Sequence, residues 1–448
     1  MTQVRRFTLL PVLFLALAGV SGCDTIDSVF SSSDDKEKLP GTRISILALE
    51  RELRPNLESV ETRIILPRPE DTVVWPGAGG LSHHAMHHLV IGDAPKRAWS
   101  VDAGEGSGLR NRVFAEPIIA DGRIFTMDAE GIVNAFDAAT GKRAWRAKTA
   151  SKVDEDNAFL GGAIAFEQKR IFATTGAAQV LALDAATGKE IWRVPVETPI
   201  RAAPTVNAGR VFVVTVENQV VALAADTGRK LWAYAGSPAP TILLGGTAPA
   251  VDGGVVVAAL SSGELVALRT DNGTVLWNET VVAVRRTEAA ASLPDIAARA
   301  VIDKGRVFAV GQSGVLVAID LRTGRRLWEV PVAGIYEPWI AGDFLYAITI
   351  DSEAVCIDAR SGRILWVTQL PRFEDEEDKT GRIVWAGPAL VSDRLILVSS
   401  NSEALSLSPY SGAVLGKVEL SSGTTLSPVF ANASMYILGD DGDLSAYR

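Results

Sequence analysis

A nine-residue phrase recurs along this chain about every 45 residues and constrains its fold more than any other feature. Its clearest copy is Asp184-Ala-Ala-Thr-Gly188-Lys-Glu-Ile-Trp192, and close copies end at Trp145, Trp328 and Trp366. Looser copies end at Trp232 and Trp277, and a degenerate copy has Gly416 in the Trp position. In every copy a Gly lies four residues before the Trp position. A repeat of this length is typical of propeller blades.

Each repeat contains four short runs of β-branched, aromatic and aliphatic residues bounded by Gly, Asp or Asn. In the second repeat these runs are 162–166, 170–174, 179–183 and 190–194. Short runs with turn signals between them predict antiparallel strands. Proline recurs where the first run opens, at Pro117, Pro204, Pro249, Pro338, Pro388 and Pro428. Because proline cannot donate to a sheet ladder, it favours an edge strand, such as the innermost strand of a blade.

The Gly and Trp of the phrase have predicted structural roles. The Gly supplies a positive φ in the turn before the last strand, and the Asp four residues earlier bonds the turn backbone. A Trp on the outer strand is expected between neighbouring blades, with its N–H bonded to a carbonyl. A ladder of rings that stack on a ligand is the alternative. The predicted structural Trp residues are Trp99, Trp145, Trp192, Trp232, Trp277, Trp328 and Trp366.

The two ends of the repeat region complement each other. After Gly416 a last unit has three strands and lacks a Trp strand, whereas residues 96–101, with Trp99, form a strand that no turn precedes. Pairing the two removes two sheet edges at once. The sequence therefore predicts an all-β, eight-bladed β-propeller of four-stranded antiparallel blades, closed by an N-terminal strand that pairs with the C-terminal blade.

The first 95 residues precede the repeats. Residues 1–22 carry Arg5, Arg6 and a short apolar run, as expected of a secretory signal peptide. Residues 20–23 resemble a bacterial lipobox, which implies lipidation at Cys23; a plain cleavage site is the alternative. We expect residues 23–95 to form a lipid-anchored tether and a turn-rich lead-in, and residues 96–448 to form the propeller.

All four histidines, His83, His84, His87 and His88, lie in this lead-in. Their spacing would place two pairs on one helical face, where a transition metal could bind. The stretch contains no carboxylate or thiolate and is flanked by glycine. We therefore expect a segment packed against the side of the propeller, with the histidine side chains in solvent.

Composition excludes several classes of function. A net charge of -9 argues against nucleic acid as a partner, because phosphate binding requires basic patches. The only cysteines, Cys23 and Cys356, cannot form a disulfide framework or a thiolate zinc site. The acidic run at residues 374–378 is expected to be a solvated loop. No cofactor is expected.

The repeated phrase resembles the pyrroloquinoline-quinone-type propeller repeat over residues 97–448. Together with the lipobox and the absence of a second domain, it is similar to the propeller lipoproteins of the outer-membrane β-barrel assembly machinery. The resemblance implies a non-enzymatic scaffold on the periplasmic side of the outer membrane that docks the barrel-forming subunit. Unfolded outer-membrane proteins are a second partner that it suggests. Residues 241–249 resemble one contact segment of that family, with Leu243 and Leu244, and residues 292–297 resemble the other, with Asp295. In some bacteria an Asp after the lipidated Cys, here Asp24, implies retention at the inner membrane instead.

Two other functions are compatible with such a fold. One is a lipid-anchored scaffold for another periplasmic complex. The other is a quinone-dependent dehydrogenase, whose family pattern implies a vicinal cysteine pair, whereas Cys356 is isolated within a predicted third strand.

Overall fold

The computed structural model describes residues 53–56, 62–108, 111–150, 161–239, 246–281 and 296–448. Within them it contains 34 β-strands and no α-helix. The strands form eight four-stranded antiparallel sheets and one two-stranded hairpin. The predicted eight-bladed propeller is confirmed. No described helix is long and apolar enough to span a bilayer.

The first four blades follow one another in the sequence. Blade 1 comprises β2 (Ile118–Ala120), β3 (Arg123–Met127), β4 (Ile132–Asp137) and β5 (Arg143–Lys148). Blade 2 comprises β6 (Ile164–Glu167), β7 (Arg170–Thr175), β8 (Gln179–Asp184) and β9 (Glu190–Pro195). Blade 3 comprises β10 (Thr205–Asn207), β11 (Arg210–Val214), β12 (Gln219–Ala224) and β13 (Lys230–Ala235). Blade 4 comprises β14 (Ala250–Asp252), β15 (Val255–Ala259), β16 (Glu264–Arg269) and β17 (Val275–Thr280).

The remaining blades include the closure. Blade 5 comprises β18 (Val301–Asp303), β19 (Arg306–Val310), β20 (Leu316–Asp320) and β21 (Arg326–Val330). Blade 6 comprises β22 (Trp339–Ala341), β23 (Phe344–Ile348), β24 (Glu353–Asp358) and β25 (Ile364–Gln369). Blade 7 comprises β28 (Trp385–Val391), β29 (Arg394–Ser399), β30 (Glu403–Leu407) and β31 (Val414–Glu419). Blade 8 comprises β32 (Val429–Ala431), β33 (Ser434–Leu438), β34 (Asp443–Tyr447) and β1 (Arg97–Asp102).

The acidic run lies in the additional hairpin, which joins blades 6 and 7. It consists of β26 (Phe373–Asp375) and β27 (Thr380–Arg382). The acidic residues are exposed, as predicted, although part of the run forms a strand instead of a loop.

The ring closes by the pairing of β1 with β34. The strands are antiparallel, with Trp99 opposite Ala446 and Ser100 opposite Ser445. Beyond the strand, Lys96 and Arg448 exchange two backbone hydrogen bonds of 2.7 and 2.9 Å. The predicted closure is therefore confirmed, and the sheet of blade 8 combines the strand that precedes blade 1 with the last three strands of the fold.

The first strand of each blade faces the central channel. First strands of blades 1 to 7 contact one another in succession, from β2 to β28. Five of the six predicted prolines directly precede such a strand, and Pro388 lies inside β28, at a register shift between Ala386 and Ala389. Because strands alternate in direction, the turns after first and third strands share one end of the ring, here called the turn face. Turns after second strands and the loops between blades share the other end, here called the loop face.

Contacts between a Trp and the turn of the next blade join the blades. The ring of Trp192 lies over Gly228, and its Nε1 donates to the carbonyl of Ala225 at 3.1 Å. Phe172 packs on the same indole, with ring centroids 6.0 Å apart. Nε1 bonds of this kind are made by Trp145, Trp192, Trp232, Trp277, Trp328 and Trp366.

Glycine in these turns is required for two reasons. Gly228 has a φ of +71°, a region that favours glycine, as the sequence predicts. In addition, a Cβ atom at Gly228 would lie 2.7 Å from Cε3 of Trp192. The predicted Asp bonds are also present: Asp184 Oδ1 accepts from the backbone N–H of Thr187 at 2.9 Å and from its hydroxyl at 2.7 Å.

Candidate functional site

The lead-in makes one circuit of the channel mouth at the turn face. From Thr72 to Leu89 it bonds the first strands, or the turns next to them, of blades 8, 1, 2, 3, 4, 5, 6 and 7, in that order. The bonds involve Asn432, Ile119, Phe166, Asn207, Val251, Ile302, Trp339 and Leu390. These first strands are sheet edges, so the lead-in satisfies backbone groups that would otherwise face the channel.

Aromatic side chains fill the centre of this circuit. Trp75 of the lead-in is 2% exposed and stacks on Trp339, with ring centroids 6.4 Å apart. It also packs on Phe430 at 6.2 Å. Because Trp339 belongs to blade 6 and Phe430 belongs to blade 8, Trp75 connects separate blades at the axis. The lead-in therefore covers the turn-face end of the channel.

The histidine side chains differ from the prediction. His84 and His88 are buried, whereas His87 is about two-fifths exposed. The expected packing against the side of the propeller, with all the side chains in solvent, is wrong, because the segment lies across the channel mouth. Both ring nitrogens of His88 are bonded: Nδ1 lies 2.7 Å from the carbonyl of Pro67, and Nε2 accepts from the backbone N–H of Asp393 at 2.9 Å. This pattern requires a neutral ring with its proton on Nδ1.

His84 points to the axis. Its Nδ1 lies 2.8 Å from the carbonyl of Ala300. Burial and, to a smaller extent, the nearby Arg299 guanidinium together lower the pKa of His84 to about 4, so the ring is neutral at pH 7. No group of three or more metal-ligating side chains occurs among the described residues.

A buried ionic cluster lies on the channel axis beneath the lead-in. Arg299 Nη2 donates to Glu116 Oε1 at 2.5 Å and to Glu337 Oε1 at 2.6 Å. Glu116 Oε2 also accepts from the backbone N–H of Gly79 at 3.0 Å, which ties the cluster to the lead-in. Burial raises the pKa of Glu116; at Glu337 burial acts in the same direction, but Arg299 outweighs it and the pKa is lowered. One guanidinium is thus shared by two buried carboxyl groups.

The loop face bears an open cavity of about 700 Å³ at the other end of the channel. Its wall comes mainly from the loops between blades and from the turns after second strands. Apolar contributors are Phe114, Val216, Ile335, Val384 and Leu426, and the wall also contains Arg112, Arg201 and Tyr336. Tyr336 directly precedes Glu337, so the ionic cluster lies behind this part of the wall. The size of the cavity is within the range of ligand sites.

Described residues of the two predicted contact segments line this cavity. Leu243, Leu244 and Asp295 lie outside the described residues, as do Cys23 and Asp24. The described ends of both predicted segments contribute to the cavity wall: Gly246 and Thr247 of the first, and Ile296 and Ala297 of the second. The structure therefore brings the described ends of the two segments to one cavity, although Thr247 and Ile296 are 49 positions apart and no motif links them.

The other predicted residues have structural positions. Six of the seven Trp residues make the interblade bond, and Cys356 is fully buried in β24, where burial raises the pKa of its thiol. Trp99 is the exception, since its Nε1 is buried without a hydrogen-bond partner. The corresponding carbonyl, that of Ala138, accepts instead from Nη2 of Arg448 at 2.6 Å.

These features define an eight-bladed propeller whose blades are joined by repeated Trp–turn contacts and whose loops form a cavity at one end. The sequence matches the family described as outer membrane protein assembly factor BamB over residues 96–155 and 129–368, and the chain belongs to that family.

Individual relatives are distant. The outer membrane protein assembly factor BamB of Marinobacter adhaerens is 25% identical over 161 residues, which cover 35% of this chain and 38% of that protein. The chain thus spans well under half the length of this relative in the match. The crystal structure of BamB from Moraxella catarrhalis superposes with a TM-score of 0.67 and 18% identity, covering 79% of this chain and all of that one. Quinohemoprotein alcohol dehydrogenase from Comamonas testosteroni has a TM-score of 0.65 and 13% identity, covering 84% and 81%. Both structural similarities establish the fold alone.

Proposed function

We propose that this chain is a non-enzymatic scaffold lipoprotein that docks the barrel-forming subunit of the outer-membrane assembly machinery and aids the folding and insertion of β-barrel proteins. Its export signal is residues 1–22 and its lipid anchor is attached at Cys23, which holds the propeller on the periplasmic side of the outer membrane. Family membership over residues 96–368 supports the general assignment.

The loop face is the proposed docking surface. The observation that carries this proposal is the convergence of residues 246–247 and 296–297 on one cavity, because these are the described ends of both segments that resemble family contact sites. Leu243 and Leu244 supply apolar contacts and Asp295 an acidic one. The turn face is less suited to docking, since the lead-in covers its centre.

The chemistry of the loop-face cavity supports a scaffold over a quinone-dependent dehydrogenase. The pattern of such dehydrogenases implies a calcium ion held by carboxylate and amide groups, and calcium prefers several oxygen ligands that include carboxylates. Among the described residues, the cavity wall includes no Asp or Glu. The nearest carboxyl groups on the axis, those of Glu116 and Glu337, are buried and bonded to Arg299.

Capture of the partner tests this proposal. Tagged wild-type chain is expected to retain the barrel-forming subunit from detergent-solubilised envelopes, and Leu243→Asp combined with Asp295→Arg is expected to lose it. The matched control combines Leu276→Asp with Asp226→Arg, the same changes at exposed positions of blades 4 and 3 outside the cavity. Equal capture by the site variant and the wild type would show that these residues do not form the contact.

A further inference from the structure

Two guanidinium groups line the loop-face cavity without a carboxylate partner. Within the described part of the chain, neither Arg112 nor Arg201 has a carboxylate oxygen within ion-pair distance. Burial raises the pKa of Asp440, and hydrogen bonds from Thr425 and the charge of Arg112 partly offset this rise. The carboxylate of Asp440 accepts from the hydroxyl of Thr425 at 3.2 Å. The cavity therefore offers positive charge in a protein whose net charge is -9.

Other polar side chains of the wall are bonded within the protein. The hydroxyl of Tyr336 donates to the carbonyl of Thr425 at 2.9 Å, and that of Thr247 donates to the carbonyl of Ala259 at 2.8 Å. Asn218 donates to the carbonyl of Ser237 and accepts from the backbone N–H of Ser261. A ligand that enters the cavity thus finds the two guanidinium groups as its strongest available donors.

The rest of the available wall is apolar. Ile335 is 39% exposed, although a side chain of this type is usually buried in a core. Phe114, Val216, Val384 and Leu426 are half-buried around the same cavity. Covering this surface stabilises a complex through the hydrophobic effect.

The charge behind the wall limits the number of anionic groups that the cavity accepts. The buried cluster holds one guanidinium and two carboxyl groups, and Asp440 adds a third carboxyl group nearby. A ligand with several negative charges would be repelled by them. A single carboxylate matches the two arginines, and an apolar body matches the remaining wall.

We propose that the loop-face cavity binds the carboxylate end of an apolar chain, such as the C-terminus of a peptide with apolar last residues or a fatty acid. The carboxylate pairs with Arg112 and Arg201, and the apolar part covers Ile335 and its neighbours. This site does not depend on the proposed docking function, because it uses none of Leu243, Leu244 and Asp295.

Calorimetric titration of the full chain tests this site. Cys23→Ser removes the lipidation site, so detergent is not needed, and the probes are N-acetyl-Leu-Phe as the free acid, its C-terminal amide, octanoate and octanol. At least one acid is expected to bind at least fivefold more tightly than its uncharged counterpart. The acid that binds more tightly identifies the peptide terminus or the fatty acid as the better ligand. Equal affinity of both acids and their uncharged counterparts, or no binding of either acid at 5 mM, would overturn the proposal.

Variants assign the binding to this cavity. Arg112→Gln combined with Arg201→Gln is expected to weaken the acid at least fivefold and to leave the affinity for the uncharged probe unchanged. Arg325→Gln combined with Arg360→Gln, at exposed positions in the turns of blades 5 and 6, is the matched control and retains wild-type affinity. Ile335→Glu places a carboxylate in the cavity and is expected to abolish binding of the acid. Unchanged binding by the cavity variants would overturn the assignment, whereas partner capture reports on the docking function separately.

Discussion

At the scale of single residues, the channel axis contains the groups whose environment departs most from water. His84 is neutral because it is buried beside Arg299, and Glu337 is buried close to both. None of these states follows from the local sequence. His84 and Arg299 are more than 200 residues apart and meet only after the ring has closed.

The first prediction concerns the pH dependence of stability. The pKa of His84 is about 4 in the folded state and 6.5 unfolded, so the unfolded state binds the proton more tightly. The stability that the neutral ring contributes is complete above pH 6.5 and is lost as the pH falls from 6.5 to 4, by up to ~3 kcal/mol. Denaturant unfolding at several pH values measures this loss.

Asparagine variants isolate the contribution of His84. His84 and His87 both have a positive φ, which asparagine tolerates. His84→Asn is expected to flatten the pH dependence between pH 6.5 and 4, and His87→Asn, at the more exposed position, is expected to retain it. Glu116 acts in the opposite direction, because its raised pKa favours folding at low pH. Its contribution is present in both variants and cancels when their pH profiles of stability are compared. An unchanged pH profile in His84→Asn would contradict the assignment.

The second prediction concerns Arg299. Arg299→Leu leaves two buried carboxyl groups without their shared partner and is expected to lower the free energy of unfolding by ~3–5 kcal/mol. Replacing Arg299, Glu116 and Glu337 together by leucine removes all the buried charge and is expected to regain most of that loss. Urea unfolding of the two variants measures both effects. A triple variant no more stable than Arg299→Leu would contradict the assignment of the loss to the unpaired carboxyl groups.

At the scale of the structural element, the repeated phrase predicts much of what the structure contains. The order Asp, Gly, Trp encodes a turn, a positive φ and a large side chain on an outer strand, and all three are local properties that a sequence displays. The lack of space for a Cβ atom at Gly228 was not predictable, because the indole that lies over this residue comes from the preceding blade.

The degenerate copy in blade 7 has an explanation at the closure. In blades 1, 2 and 5 the arginine that opens the second strand donates to the turn after the third strand of the next blade, as Arg123 does to the carbonyls of Ala185 and Ala186. In blade 7 the corresponding Arg394 donates to the carbonyls of Gly92 and Asp93. Lead-in residues thus take the place of the turn that blade 8 lacks. In other blades a Trp covers this turn, and in blade 7 Gly416 occupies the position of that Trp.

The third prediction separates the two roles of the turn glycine. Gly209 and Gly228 have φ values of +75° and +71°, but a Cβ at Gly209 would meet nothing within 4 Å. Gly209→Ala is expected to cost ~1–2 kcal/mol through the backbone alone. Gly228→Ala is expected to cost a further ~1–3 kcal/mol, because Trp192 must move. Equal losses in denaturant unfolding would show that the indole contact contributes little.

At the scale of the whole molecule, the closure of the ring was predictable from the sequence, whereas the path of the lead-in across the channel mouth was not. A three-stranded last unit and an isolated Trp strand are visible in the sequence as complementary fragments. The circuit of residues 72–89 consists mostly of backbone bonds to distant strands, for which no periodicity or motif exists. For the same reason the burial of His84 and His88 was not predictable.

The fourth prediction tests the closure with a disulfide. The hydroxyl oxygens of Ser100 and Ser445 lie 3.0 Å apart across β1 and β34. Cysteines at both positions are expected to form a bond on oxidation, whereas Cys356 does not compete because it is buried. A crosslink that closes so long a loop is expected to raise the free energy of unfolding by several kcal/mol, up to ~5 kcal/mol.

Non-reducing electrophoresis measures formation of this bond, and unfolding with and without reductant measures its effect. The variant Ser100→Cys combined with Ser411→Cys, which places the second thiol in the exposed third turn of blade 7, is the control and is expected to remain reduced. Failure of the Ser100–Ser445 pair to oxidise would contradict the pairing of β1 with β34.

The circuit of the lead-in has a consequence for the order in which the molecule is made. Synthesis delivers residues 72–89 before all eight blades, but their bonding partners extend to Asn432 in blade 8. These long-range contacts make late assembly of the channel mouth unavoidable. A chain made only as far as blade 7 therefore leaves Thr72 without its backbone partner and Trp75 without Phe430, and such exposed groups are what proteases and chaperones recognise in unfinished molecules.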